Sequence, residues 1–499
     1  MDFFHNLAIG FSTAFQLTNL FYAFIGCLLG TLIGVLPGLG PLATIAMLLL
    51  ITYALTPEAA LIMLAGIYYG AQYGGSTTAI VVNLPGESSS VVTTIDGYQM
   101  AKQGRAGVAL STAAIGSFFA GTVATLAVAA LAQPLAATAL LFGPKEFFSL
   151  MILGLVVASV LSTGPFIEGI GMVVLGMLLS LVGTDINSGT QRFAFGIPQL
   201  FDGIDFVPLA MGIFGFAEIV RNLEPHDELS LVTQKIKNLF PTREDFRRMM
   251  PAIFRGTALG TILGVLPGGG AVLSSFAAYT LEKKLSKHPE EFGKGAIEGV
   301  AGPESANNAG AQTSFIPLLT LGIPSNVVMA LMVGAMTIHN IQPGPQVMTK
   351  NPSLFWGLIV SMWVGNLMLV ILNLPLVGLW VKLLSIPYRY LFPAIMVFCS
   401  IGVFSINSGT FEVYEAALFC IFGYMLMKLD LPAAPLLLGL VLGPAIEENF
   451  RRAMVLSRGD STVFLTSPLS GGLLAAAAIA VVLITLPAIR SKREEALKE

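Results

Sequence analysis

Long apolar stretches follow one another along almost the whole chain, separated by short polar segments that are rich in glycine and proline. A helix needs ~20 apolar residues to cross the hydrocarbon core of a bilayer, and most of these stretches approach that length. The pattern therefore predicts an all-α, polytopic integral membrane protein. The clearest stretches lie near residues 20–36, 39–55, 57–72, 106–133, 147–163, 166–183, 206–220, 252–267, 271–281, 307–322, 326–338, 354–384, 391–406, 412–428, 432–446 and 468–489.

Composition agrees with this prediction and excludes several other classes of protein. Of the 499 residues, 55% are hydrophobic and 11% are charged, whereas an average soluble domain has ~25% charged residues. The net charge of -3 leaves no basic surface for nucleic acid. The three cysteines lie in apolar segments, which argues against a disulfide framework and against a structural zinc site.

One stretch, residues 221–255, breaks the apolar pattern because 12 of its 35 residues are charged. Within it Thr242 precedes Glu244 and Asp245, an arrangement that caps the N-terminus of a helix. The stretch predicts a cytosolic linker that contains an interfacial helix. It divides the chain into a first transmembrane repeat (1–220), the linker (221–255), a second transmembrane repeat (256–460), and a C-terminal transmembrane helix with a cytosolic tail (461–499).

The two halves repeat each other. The segment Gly30–Gly38 recurs almost unchanged as Gly260–Gly268, at an offset of 230 residues. Further along, Leu84–Val92 resembles Leu321–Val328. Internal duplication, with glycine- and proline-broken segments at matching positions, is typical of secondary transporters.

The repeats are expected to have inverted orientations, because positively charged loops stay in the cytosol. Residues 1–101 contain no Lys or Arg, whereas the corresponding part of the second half has basic residues on both sides. The segment 252–282 is long for one span and short for two. It therefore predicts a re-entrant helical hairpin with Pro267–Gly270 at its tip.

Two glycine- and proline-rich segments, Gly34–Pro41 and Gly264–Ala271, should each interrupt a helix. A break at membrane depth frees backbone N–H and C=O groups that protein, water, ion or ligand must satisfy. Each break is either a kink for packing or part of a binding site, and its occurrence in both halves favours binding. The binding candidates in these segments are Pro37, Gly38, Gly40, Pro267, Gly268 and Gly269.

Serine, threonine and asparagine cluster in a second pair of segments, each beside a glycine or proline. They are either ordinary N-caps or parts of an anion site formed by the free N–H groups of a helix N-terminus. No Lys or Arg occurs in 1–101 or 295–349, so an anion bound there depends on helix N-termini, hydroxyls and amides. The substrate-binding candidates in these segments are Ser76, Thr77, Asn83, Gly86, Ser88, Ser89, Ser90, Asn307, Asn308, Ser325 and Asn326.

Glu87 and Glu304 are the acidic residues of these motifs, and an ionisable group at membrane depth is a functional candidate by default. Either could alternatively lie at an aqueous mouth. Together with Gln312 and Thr313 they are candidates for binding a coupling cation, Na⁺ or H⁺. Asp96 instead predicts a structural turn or helix cap.

Taken together and in order, these motifs resemble those of the large membrane subunit of the tripartite tricarboxylate transporter family. The segments that carry the resemblance are 34–41, 68–104, 264–270 and 302–326, and it extends over essentially the whole chain. It implies a multi-pass protein of the bacterial inner membrane that imports citrate, other di- and tricarboxylates, or aromatic carboxylates, driven by an ion gradient. It also implies two partners, a small membrane subunit of about four spans and a periplasmic solute-binding protein.

The leading hypothesis is therefore a secondary active carboxylate importer that needs no cofactor besides a coupling cation. An uncoupled, channel-like anion pore would use similar re-entrant hairpins, and the ion dependence of uphill uptake separates the two. An enzyme is not expected, because the sequence has no HExxH motif, no Walker motif and no local Ser/His/Asp grouping.

Overall fold

The computed structural model is almost entirely helical, which confirms the predicted all-α class. Among the residues it describes, the only sheet pairs β1 (Gly183–Thr184) with β2 (Gln191–Arg192), antiparallel and with Gly183 opposite Arg192. The described residues are 3–36, 40–139, 141–162, 165–185, 188–222, 239–266, 270–383 and 409–485, together with seven residues between 393 and 404.

Most helices of the first half are separated by short connections, and the longest connection, residues 180–205, contains β1 and β2. They are α1 (Phe3–Ala14), α2 (Leu17–Val35), α3 (Pro41–Thr52), α4 (Pro57–Val82), α5 (Val91–Lys102), α6 (Ala106–Ala139), α7 (Pro144–Leu161), α8 (Phe166–Leu179), α9 (Phe206–Ala210) and α10 (Ala217–Asn222). Short 3-10 turns lie at Ser88–Ser90 and Pro198–Leu200, and a π-helical segment at Met211–Phe216 joins α9 to α10.

The helices of the second half follow a similar sequence of long and broken elements. They are α11 (Arg243–Gly264), α12 (Gly270–Leu285), α13 (Glu298–Thr313), α14 (Phe315–Leu321), α15 (Val327–Ile338), α16 (Gln346–Lys350), α17 (Pro352–Asn373), α18 (Val377–Leu383), α19 (Phe411–Lys428), α20 (Ala433–Leu456), α21 (Val463–Thr466) and α22 (Pro468–Thr485). A 3-10 turn at Pro289–Glu291 lies between α12 and α13.

Four helices in the described part of the chain are long and apolar enough to cross a membrane. They are α2, most of α6, α17 and α22. Helix α22 is the predicted extra C-terminal span, and only 11% of it is buried in the protein. Its Ser470 hydroxyl lies 2.7 Å from the hydroxyl of Ser149 in α7, which fixes it to the first half.

Two helices, α4 and α13, lie at the centre of the molecule. Every residue of α4 from Ala59 to Val82 is buried, and so is every residue of α13 from Gly299 to Thr313. A helix that is buried on all sides is normally apolar throughout, yet both of these carry polar side chains. The polar chemistry of the protein is therefore concentrated in its interior.

Each half contains a pair of helices packed so closely that only glycine fits at the contact. A Cβ atom at Gly30 of α2 would lie 2.3 Å from the carbonyl oxygen of Ile67 in α4. A Cβ atom at Gly260 of α11 would lie 2.2 Å from the carbonyl oxygen of Ala306 in α13. Small residues four positions apart allow such close packing between membrane helices. The duplicated sequence thus makes the same kind of helix contact in both halves.

The halves also share the geometry of a helix break. Helix α4 ends at Asn83 with a φ of 61°, and α14 ends at Gly322 with a φ of 73°, both in the left-handed region. Four residues later, Glu87 and Asn326 are both extended and cap the next helical segment. Both halves therefore contain an interruption of matching length and backbone conformation.

The capping box predicted at the start of α11 is confirmed. The Thr242 hydroxyl accepts the backbone N–H of Asp245 at 3.2 Å, and the Asp245 carboxylate accepts the Thr242 N–H at 3.0 Å. Burial raises the pKa of Asp245, but hydrogen bonds from Thr242 and the guanidinium of Arg105 outweigh burial and hold this pKa below its ordinary value. The rest of the predicted linker, residues 223–238, and the tail after residue 485 lie outside the described residues.

Candidate functional site

Glu304 lies at the point where the two halves meet in the interior. Its side chain is completely buried in α13. One carboxylate oxygen accepts the hydroxyl of Ser76 in α4 at 2.6 Å, and the other accepts the hydroxyl of Thr93 in α5. Two helices of the first half therefore hold a carboxylate of the second half, and neither donor is charged.

Glu87 lies in the break between α4 and α5, where it caps the Ser88–Ser90 turn. The Ser89 hydroxyl donates to its carboxylate and also lies 2.9 Å from the side-chain oxygen of Gln72 in α4. A Cβ atom at Gly75 would come within 2.9 Å of the Glu87 side chain. The glycine-rich surface of α4 thus makes room for this glutamate.

Adjacent residues of α4 contact the two glutamates, since Gly75 lies against the Glu87 side chain and Ser76 donates to the Glu304 carboxylate. Within the described part of the chain, no lysine, arginine or histidine forms an ion pair with either of them. Two like charges in a low-dielectric interior repel each other strongly unless one takes up a proton or a cation lies between them. The arrangement therefore favours binding of a proton or a small cation.

The corresponding break of the second half, between α14 and α15, contains Ser325 and Asn326. Ser325 donates to the carbonyl oxygen of Ser314 at 3.1 Å. The Asn326 side chain accepts the N–H of Met329 at 3.0 Å and donates to the Ser314 hydroxyl at 3.1 Å. Asn326 is therefore a true N-cap, and the first-turn N–H groups of α15 other than that of Met329 can still meet a ligand.

A described residue beside each predicted glycine- and proline-rich segment lies against a break. In the first half, a Cβ atom at Gly86 would come within 2.0 Å of the carbonyl oxygen of Gly34, near the end of α2. In the second half, a Cβ atom at Gly270, the first residue of α12, would lie 3.2 Å from the amide nitrogen of Asn326. In both halves, a described residue of the predicted glycine- and proline-rich segment is thus a neighbour of the break, Gly34 in the first half and Gly270 in the second.

Tyr68 is a residue of this site that the sequence motifs did not single out. It is buried in α4, where its hydroxyl interacts with the Asn326 side chain and lies near the Glu87 carboxylate. Tyr68 therefore brings the two breaks together, although they are more than 200 residues apart in sequence. The available sequence signal is a run of three tyrosines, at 68, 69 and 73, in a helix otherwise rich in small residues.

Two buried amides of α13 have side-chain atoms without a hydrogen-bond partner among the described residues. They are Asn307, with both its amide nitrogen and its oxygen unpaired, and Gln312, with its oxygen unpaired. A buried polar group without a partner costs ~1–3 kcal/mol, so it is rare unless a ligand, ion or water satisfies it. These amides are therefore candidates for contact with a ligand, an ion or water.

The other predicted site residues fall into three groups. Some make structural hydrogen bonds. Thr77 and Thr313 donate to carbonyl oxygens one turn back in their own helices, and Asn308 donates to the Ser117 hydroxyl of α6 at 2.7 Å. Asn83 and Ser88 are exposed at the first break, and Gly40 directly precedes α3. The remaining candidates, which lie outside the described residues, are Pro37, Gly38, Pro267, Gly268 and Gly269.

Comparison with known proteins relates the sequence of this chain to a family. The sequence profile of the "Tripartite tricarboxylate transporter TctA family" matches residues 20–438, well over half of the chain. No solved structure matches the chain.

Two similar proteins are known from Agrobacterium vitis. One, named "Uncharacterized 52.8 kDa protein in TAR-I ttuC' 3'region", is 60% identical over 499 residues, which is 100% of this chain and 99% of the relative. The other, named "Uncharacterized protein in TAR-II ttuC' 3'region", is 63% identical over 240 residues, which is 48% of this chain and 99% of the relative.

Proposed function

Since this chain belongs to the tripartite tricarboxylate transporter TctA family, we propose that it is the subunit through which carboxylates cross the bacterial inner membrane, driven by a Na⁺ or H⁺ gradient. Membership of the family identifies a membrane transport protein and implies partner subunits. The observation that carries the coupled mechanism is the pair formed by the half-buried Glu87 and the buried Glu304, which no basic residue of the described chain neutralises.

The substrate carboxylates bind between the two breaks, at Ser88–Ser90 and Ser325–Asn326. Each break leads into a twelve-residue helix, α5 or α15, whose N-terminus carries about half a positive charge and several free N–H donors. Tyr68 lies between these ends, and the unpaired amide of Asn307 supplies further hydrogen-bonding capacity. A partial positive charge holds an anion less firmly than arginine does, which suits a protein that must release its cargo.

The coupling cation binds at Glu87 and Glu304. Oxygen atoms of Ser76, Thr93, Ser89 and the Gln72 side chain surround these carboxylates, and oxygen is the ligand that hard cations prefer. A cation or proton there removes the repulsion between the carboxylates and lowers the cost of placing an anionic substrate nearby. Ion and substrate therefore stabilise each other in one occupied state.

The two repeats are inverted in the membrane. The matching helix breaks and glycine contacts support a duplicated architecture, and the absence of Lys and Arg before residue 102 supports opposite orientations. Single cysteines near Glu58 and near Lys284 should then react with an impermeant reagent from opposite sides of the membrane. Labelling from the same side would establish parallel repeats instead.

The partners are a small membrane subunit and a periplasmic solute-binding protein that delivers the substrate. The function is tested by reconstituting the complex in proteoliposomes and measuring uptake of citrate and other carboxylates against a concentration gradient. Uphill uptake that requires an inward Na⁺ or H⁺ gradient is the expected result. Ion-independent flux that only equilibrates the substrate would indicate the alternative function, a channel-like anion pore.

A further inference from the structure

Asp96, in α5, is bound by more donors than a structural turn or cap requires. Its side chain is completely buried. One carboxylate oxygen accepts the backbone N–H groups of Gly293, Gly295 and Ala296 at 2.8, 2.8 and 2.9 Å, and the other accepts the hydroxyl of Tyr279 at 3.0 Å. The sequence-based expectation of a turn at Asp96 is wrong, because the residue lies within a helix and its contacts are with the other half of the protein.

The loop between α12 and α13 is shaped around this carboxylate. Gly293 and Gly295 have φ values of 83° and 106°, a conformation that side chains disfavour and that turns consecutive N–H groups toward one point. At the start of α13, a Cβ atom at Gly299 would lie 2.2 Å from the Asp96 carboxylate. A longer acid at position 96 or any side chain at position 299 therefore does not fit.

Asp96 is linked to the candidate site through its own helix. Thr93 lies one turn earlier in α5, and its hydroxyl donates to the buried Glu304. Glu304 belongs to α13, the helix that starts directly after the loop bound by Asp96. Helix α5 is thus attached to the second half at two levels, to the loop by Asp96 and to the carboxylate by Thr93.

We propose that Asp96 is a positioning residue for the coupling carboxylate. By fixing the axial position of α5 against the 293–296 loop, it keeps the Thr93 hydroxyl on Glu304. The inference rests on the proposed function, because it assigns to Asp96 an effect on cation binding at Glu304. Since α5 also follows the Ser88–Ser90 turn directly, the same attachment connects the cation site with one end of the substrate site.

The test compares Asp96→Ala, Asp96→Asn, Thr93→Val and the double variant Asp96→Ala/Thr93→Val in reconstituted transport. Asp96→Ala should raise the half-saturating cation concentration about tenfold, the effect of losing one well-placed hydrogen bond to a charged group. Asp96→Asn keeps an oxygen acceptor for the loop and should recover much of this loss. In the Thr93→Val background, Asp96→Ala should have little further effect on the half-saturating concentration, because both changes act on the same bond.

A second measurement does not depend on transport. Hydrogen–deuterium exchange of Asp96→Ala should show faster exchange both in the 293–296 loop and in the first turn of α5. Glu244→Ala, which removes an exposed acid elsewhere, is the control and should change neither exchange nor cation dependence.

These measurements distinguish failure of the inference about Asp96 from failure of the proposed function. An unchanged half-saturating cation concentration in Asp96→Ala, or additive effects in the double variant, would overturn the inference and leave Asp96 as an anchor of the loop. If the wild-type protein shows no cation dependence at all, the proposed function fails. Exchange then decides whether Asp96 positions α5, since unchanged protection of the first turn of α5 would contradict that role.

Discussion

Replacing Asn307 by leucine should stabilise the ligand-free protein while impairing transport. Asn307 is completely buried in α13, and neither polar atom of its amide has a hydrogen-bond partner among the described residues. Each buried unpaired polar group costs ~1–3 kcal/mol. Removing both atoms at similar side-chain volume should therefore raise the free energy of unfolding by roughly 2 kcal/mol or more.

Asn308 is the matched control for this substitution. It is the adjacent residue and of the same type, but its amide nitrogen donates to the Ser117 hydroxyl at 2.7 Å and to the carbonyl oxygen of Glu304 at 3.1 Å. Asn308→Leu should lower the free energy of unfolding, because it removes bonds that the folded protein makes. Thermal unfolding of the purified variants, with and without carboxylate and Na⁺, measures both effects. In Asn307→Leu the melting temperature should rise, and its increase on adding ligand should be lost.

Two results would contradict a role for the Asn307 amide in ligand binding. If Asn307→Leu lowers the melting temperature as much as Asn308→Leu does, Asn307 has a structural partner and its amide is not evidence for a ligand. If it raises the melting temperature but leaves transport and ligand-induced stabilisation unchanged, the binding site does not include Asn307.

Three further predictions concern the proposed coupling carboxylate, the helix packing and the capping box at the start of α11. Glu304→Gln removes the charge and keeps an oxygen acceptor for one of the two hydroxyls of Ser76 and Thr93, while its NH2 group can donate to the other. Ion-driven accumulation should be lost while substrate counterflow remains; retained accumulation would exclude Glu304 from the coupling site. Gly30→Ala should lower the melting temperature because its Cβ would lie 2.3 Å from a backbone oxygen, whereas Gly171→Ala, with open space around it, should not. The lowered pKa of Asp245 contributes stability above its unfolded pKa that is lost as pH falls through the folded value. Asp245→Asn should therefore lower the melting temperature at pH ~7 more than at pH ~3, and an equal decrease at both would contradict the ion pair.

The sequence predicted what depends on local residue patterns. The all-α class followed from apolar stretches, and the N-terminus of α11 followed from Thr242 and Asp245, three residues apart. The breaks before Glu87 and Asn326 followed from glycine and proline that recur in both halves. In each case the physical cause lies within a few residues of its effect.

Contacts between distant segments could not be predicted from these patterns. The bonds from Ser76 and Thr93 to Glu304 span 228 and 211 residues, and only the packing of α4 and α5 on α13 brings these atoms together. Tyr68 resembles any tyrosine of an apolar helix until the second break is placed beside it. Asp96, in the sequence Asp96-Gly-Tyr98, was predicted as a structural turn or helix cap, whereas its partners lie almost 200 residues further on.

Measuring substrate affinity in Ser89→Ala, Asn326→Ala and the double variant shows whether a carboxylate binds between the two breaks. Each single change removes one polar group from a different helix N-terminus. We expect a loss of roughly 1–3 kcal/mol in binding free energy for each variant, with folding and assembly intact. If both stably folded variants bind and transport the substrate as the wild-type protein does, these residues are only helix caps and the substrate binds elsewhere.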